Sequence, residues 1–132
     1  MMVKKPSKKG EKMANRRLFS KSVIYSDSFF GLPSDALKLY VYMMLEADDE
    51  GFIGHTKSIL RMADVGRDIL DMLKERGLVY EFKSGVCLIA HWRKQNIIDR
   101  QGYTPTEFKI ERCLVYLDED VYYPCVDLKD SE

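Results

Sequence analysis

Cysteine is scarce in this 132-residue sequence: the three present, Cys87, Cys113 and Cys125, are odd in number, widely separated and free of any CxxC or His-paired spacing. That excludes a disulfide framework and a spaced zinc site, and it points to reduced thiols in a cytoplasmic protein. Long hydrophobic runs are missing too. No apolar stretch approaches the roughly 20 residues that a membrane span needs, and no apolar segment follows the basic N-terminus to make it a secretory signal. Histidine is limited to His55 and His91. Neither sits at an acid-His or Cys-His spacing, so surface or structural roles are expected for both. A nucleophile-base pair, a phosphate-cradling glycine loop and a metal cluster are all lacking, which argues against an enzyme and implies no cofactor. Net charge is also absent, with 21 basic residues against 21 acidic, unlike a histone-like protein that seeks polyanions everywhere.

What is present is unevenly spread. Residues 1 to 21 carry Lys4, Lys5, Lys8, Lys9, Lys12, Arg16, Arg17 and Lys21 against Glu11 alone, so the head is +7 and the remainder −7. Hydrophobic residues make up 45%, enough for the core of one domain. Residues 1–15 have almost nothing to bury and are expected to form a basic, disordered tail, with Met13 as an alternative start. Residues 16–117 are expected to form the domain with an N-terminal arm, and 118–132 an acidic tail, part of which packs as a hairpin strand.

Local signals order the middle of the chain. Leu18 to Phe30 is too apolar for a linker and reads as an arm, with Ser26-Asp27 capping one helical turn. Pro33 and Ser34 open a helix running to about Ala47, with Ser34 as N-cap and Asp35 beside the positive end of the dipole. Leu37, Tyr40, Val41, Met44 and Leu45 mark one face and Leu39, Met43 and Ala47 another, a nearly all-round apolar helix that belongs at the centre of a core. Asp48 to Gly51 is turn chemistry, followed by a short strand at Phe52-Ile53. Thr56 caps a second helix with core positions Ile59, Leu60 and Ala63. Val65-Gly66 breaks it, Gly66 freeing the backbone for a sharp turn, and a third helix from Arg67 to Arg76 ends at Gly77. Leu78 to Phe82 and Val86 to His91, separated by Lys83-Ser84-Gly85, fit a hairpin. The order strand, helix, turn, helix, hairpin is that of an α+β winged helix-turn-helix with a small antiparallel sheet. In the C-terminal extension, Thr104-Pro105-Thr106 starts a fourth helix through about Cys113 that carries Phe108, Ile110 and Leu114. Leu114 to Leu117 and Val121 to Tyr123 form either a second hairpin or a frayed helix, because period alone does not separate them.

Several runs, MANRRLFSKSVIYSDSF (13–29), ADDEGFI (47–53), KSILRM (57–62), FKSGVCLIAHWRKQNII (82–98) and DRQGYTPTEF (99–108), together resemble the N-terminal winged-helix region of replisome organiser proteins of Firmicute prophages, which are similar there to DnaD-type primosomal proteins. The resemblance covers roughly Met13 to Tyr123. Gly102, inside the last run, is a small departure. The resemblance implies docking on duplex DNA at a phage replication origin, with a helicase or helicase loader as protein partner. Such relatives usually continue into a further C-terminal region. The sequence is therefore expected to be a truncated piece, a prophage remnant or a stand-alone module.

A helix-turn-helix reads DNA by laying its second helix in the major groove, with cations on the flanking phosphates. Here that helix exposes Arg67 and Lys74 but also Asp68, Asp71 and Glu75. Around it, Lys57 and Arg61 project from the preceding helix, Lys83 stands at the wing tip, and Arg93, Lys94 and Arg100 follow the wing. These eight cations are the candidate DNA contacts. The Trp92 indole either seals the wing against the first helix or stacks on a base. Tyr116, Tyr122 and Tyr123 either pack within the domain or form a homo-oligomer contact. The leading expectation is a winged-helix DNA-binding protein of replication. The rivals are a protein-interaction or oligomerisation module and a small transcriptional regulator.

Overall fold

The computed structural model describes residues 17–96 and 103–128. Residues 1–16, with most of the basic head, residues 97–102, with the Ile97-Ile98 pair and Arg100, and the last four residues lie outside that range. The architecture is mixed α+β. In chain order it comprises α1 (Lys21–Ile24), α2 (Ser34–Glu46), β1 (Phe52–Ile53), α3 (Thr56–Ala63), α4 (Arg67–Glu75), β2 (Val79–Glu81), β3 (Cys87–Ile89), α5 (Trp92–Gln95), α6 (Lys109–Arg112), β4 (Val115–Asp118) and β5 (Val121–Pro124). Among the described residues, no helix is long and apolar enough to cross a membrane.

α2 contributes Ala36, Leu39, Tyr40, Met43 and Met44 to the core, all essentially buried. Two expectations change here. Pro33, in extended conformation, occupies the capping position and Ser34 is already helical, so no side chain caps this helix. Leu37, Val41 and Leu45 are 41–49% exposed instead of buried, because α3 and α4 both pack on α2 without covering that edge.

The turn after α2 is tied to its own backbone and to distant chain. Asp48 Oδ1 accepts hydrogen bonds from the amides of Glu50 and Phe52, each 2.9 Å. Gly51, at φ +97°, lies so close to Trp92 that a Cβ there would stand 2.7 Å from the tryptophan's Cβ and Cγ. The Trp92 indole N–H donates to Asp49 O at 2.9 Å. Trp92 is thus pinned beneath this turn and closes the core as one of the two readings anticipated.

α3 ends in a hydrogen-bonded reversal, with the Val65 amide reaching Leu60 O and that of Asp64 reaching Arg61 O. The left-handed residue of this turn is Asp64 (φ 58°), not Gly66, which is extended. α4 ends in the same manner: Gly77 (φ +74°) is left-handed, and the Leu78 amide returns to Leu73 O, a Schellman motif with glycine where a Cβ would be strained. The chain then enters a three-stranded antiparallel sheet of order β1-β3-β2, with Phe52 opposite Leu88 and Tyr80 also opposite Leu88 from the other side.

The C-terminal extension resolves as a hairpin. β4 and β5 pair antiparallel through a two-residue turn, Glu119-Asp120, in which both residues have positive φ, the geometry that suits the twist of tight hairpins. Tyr122 on β5 is fully buried. Its amide donates to Ala90 O and its hydroxyl to Glu50 O, joining the two sheets. The helix anticipated from Thr104 shrinks to α6. The residues before it are committed elsewhere: the Thr104 amide donates to Asp49 Oδ2, the Thr106 amide to Glu50 Oε2 and the Thr106 hydroxyl to Asp48 Oδ2. The N-terminal arm also differs in detail, since Ser20 caps α1 and Ser26-Asp27 lie in the turn after it. Hydrogen bonds from the Leu18 and Ser20 amides to Asn96 and Gln95 clip the arm to α5.

Candidate nucleic-acid interface

The candidate cations divide into three groups by position. Arg67 and Lys74 project from α4 over the sheet edge, where Glu81 of β2 meets them. Lys74 Nζ lies 2.7 Å from Glu81 Oε1 and 3.6 Å from Asp71 Oδ1, and the Arg67 guanidinium bonds the same Glu81 oxygen. Burial alone would raise the Glu81 carboxyl, but hydrogen bonds from Lys74 and Arg67 outweigh it and hold the group below its usual range. The hydrogen bond that Arg67 donates to Glu81 also strengthens the hold of Arg67 on its proton. The two cations of α4 are therefore neutralised within the molecule, while Asp68, Asp71 and Glu75 remain exposed beside them.

Lys57, Arg61 and Lys83 form the second group. All three are exposed, and among the described residues no carboxylate pairs with them. Lys57 and Arg61 lie one turn apart on α3, and Lys83 sits in the β2–β3 turn. Thr56, expected as a cap, is instead the first residue of α3, and its hydroxyl donates to Gly85 O in the β2–β3 turn at 3.1 Å and lies 3.4 Å from Cys87 Sγ. This fastens the start of α3 to the hairpin tip. Between them lies an open cleft of about 220 Å³ bordered by Lys57, Ser58, Ser84 and Gly85. His55 makes no side-chain cap, and the dipole at this end of α3 favours an anion. Two acidic groups stand nearby: Ser84 Oγ donates to Glu111 Oε2 at 2.7 Å, and Glu111 is buried, while His55, which also borders the cleft, pairs with Glu46.

Arg93 and Lys94 form the third group, on α5, reached only after β3 has run away from the hairpin tip. Lys94 is exposed and Arg93 half-buried. They do not join Lys83. Arg100 lies outside the described residues.

The remaining candidates divide between the interior and the surface. Trp92 is 1% exposed, so its ring has no face free for a base, and the Arg17 guanidinium lies 5.1 Å from its centroid. His55 Nε2 lies 3.2 Å from Glu46 Oε1. His91 is held below its usual range by burial and then by Lys94. Tyr122 is core, whereas Tyr116 and Tyr123 are exposed neighbours with ring centroids 5.7 Å apart.

Sequence reasoning missed Glu81, the residue that decides the electrostatics of α4. Its signal was a single acid inside the apolar run Leu78 to Phe82, a place where a carboxylate needs a partner. No protein-family model, curated protein or solved structure matches this chain.

Proposed function

We propose that this is a non-enzymatic winged-helix protein of DNA replication that holds duplex DNA by the edge where α3 meets the wing, and there nucleates assembly of further replication proteins. In this reading β2 and β3 are the wing and α3–α4 the helix-turn-helix. The observation that carries it is the contrast in charge: Lys57, Arg61 and Lys83 are exposed without ion pairs among the described residues, on elements fastened together by Thr56, while the cations of α4 are occupied by Glu81. Lysines and arginines with unhindered ammonium and guanidinium groups gain affinity from phosphates by releasing counterions. Pairs already satisfied internally gain little. The contact is accordingly one that positions the protein on the backbone and reads few bases. The replication setting rests on the resemblance to prophage replisome organisers.

Replacing Lys57, Arg61 and Lys83 together by Ala tests the reading. Affinity for duplex DNA is expected to fall for all sequences alike, in a low-salt titration of the full chain. Unchanged affinity overturns it.

A second reading, a protein-interaction module, is favoured by one specific observation: Leu37, Val41 and Leu45 form an exposed apolar edge along α2, next to an acidic α4. It predicts a stable oligomer by light scattering with no salt-sensitive binding of DNA.

A further inference from the structure

The cleft between α4 and the wing holds three cations, Arg67, Lys74 and Lys83, about one anion, Glu81, together with Phe82 and Gly85. Its volume is about 370 Å³ and it is open to solvent. Two of the three cations converge on one Glu81 oxygen, in the manner that cationic side chains converge on a phosphate oxygen. The Glu81 side chain is only 11% exposed whereas that of Arg67 is 54% exposed, so the anion forms the floor of the cleft and the guanidinium its rim.

We propose that this cleft is a latent site for a backbone phosphate of duplex DNA, held shut by the Glu81 carboxylate, which occupies Arg67 and Lys74 as an internal substitute for the phosphate. The inference rests on the reading of the protein as a DNA-binding winged helix and extends it. Glu81 restricts contact to the edge formed by Lys57, Arg61 and Lys83, and keeps α4 from gripping the duplex. A phosphate approaching the cleft must either displace a carboxylate that already has good geometry or sit beside its charge, and both are unfavourable. Removing the charge while keeping the shape frees Arg67 and leaves Lys74 with only the more distant Asp71 carboxylate, 3.6 Å away.

The test is a set of duplex-DNA titrations at several chloride concentrations on the full chain, with folding of each variant verified by circular dichroism. Glu81→Gln is expected to bind roughly tenfold tighter at low salt and to steepen the salt dependence by about two cations' worth. Glu75→Gln removes the same charge from an exposed position on α4 and is expected to change affinity far less. Adding Arg67→Ala and Lys74→Ala to Glu81→Gln is expected to return binding to the wild-type level. The same pair in the wild-type background is expected to have little effect. Equal gains from Glu75→Gln and Glu81→Gln, or a gain that survives loss of Arg67 and Lys74, overturn the latent site. The two proposals fail separately. Wild-type binding with no gain in Glu81→Gln sinks the latent site alone. Binding by Glu81→Gln with none by wild type sinks the edge-docking reading alone, and binding by neither sinks both.

Discussion

Individual side chains carry sharply different burdens in this molecule. Trp92 fills the space under the Asp48–Gly51 turn and hydrogen-bonds its backbone. Trp92→Ala is expected to lower the unfolding free energy by about 3–5 kcal/mol, measured by urea denaturation. Cys87 is buried and pushed up to about 11 by that burial, while Cys113 and Cys125 are exposed. Since the thiolate is the reactive form, a thiol reagent at pH 8 should label two cysteines rapidly and the third only after unfolding. Labelling of all three at one rate would contradict the placement of Cys87. The Glu81 carboxyl is held below its usual range in the folded chain by Lys74 and Arg67. It therefore stabilises the fold above the unfolded carboxyl pKa, and that contribution is lost as the pH falls through the lower folded value. Thermal unfolding of the wild type should consequently lose stability faster than Glu81→Gln as pH drops below about 4.5.

At the scale of elements, local chemistry was enough to read the helices and the hairpin in the middle of the chain. Ile69, Leu70 and Leu73 face inward as their spacing demands, and Gly77 and Gly85 both adopt the positive φ that their turns require. The failures came where a distant partner outbid a local preference. Thr104 and Thr106 had the composition of a helix start, yet three carboxylates of the Asp48–Glu50 turn take their amides and a hydroxyl. Asp64 carries the left-handed conformation that glycine at 66 was expected to supply, which Asp tolerates better than most residues. Two of the turns with positive-φ glycines, at Gly77 and Gly51, give a graded prediction. Gly77→Ala meets no atom within 4 Å and should cost only backbone strain, about 1 kcal/mol. Gly51→Ala adds a collision with Trp92 and should cost at least about twice as much. Equal costs in denaturant titrations would mean that Trp92 yields easily.

Across the whole molecule, the sign of the charge on a surface depends on pairing as much as on composition. The sequence offers eight candidate cations, and the positions of the seven that are described sort them in a way that spacing along the chain does not reveal. Glu81 lies 14 residues from Arg67 and 7 from Lys74, so their neutralisation is a fact of tertiary structure. The fastening of the start of α3, which carries Lys57, to the turn that carries Lys83 likewise depends on the Thr56 to Gly85 hydrogen bond, 29 residues apart. The apolar edge of α2 was legible as apolar, but its exposure follows from which neighbours pack there, and periodicity says nothing about that.

The most direct test of edge-on docking is the salt dependence of duplex-DNA binding for three proteins: wild type, the triple Ala variant at Lys57, Arg61 and Lys83, and the double Ala variant at Arg67 and Lys74. A cation that neutralises a phosphate contributes about 0.9 to the slope of log K against log salt. The triple variant should therefore be shallower than wild type by about 2.7, and the double variant should keep the wild-type slope. A slope that flattens in the double variant and persists in the triple one would place the duplex on α4 and contradict the account.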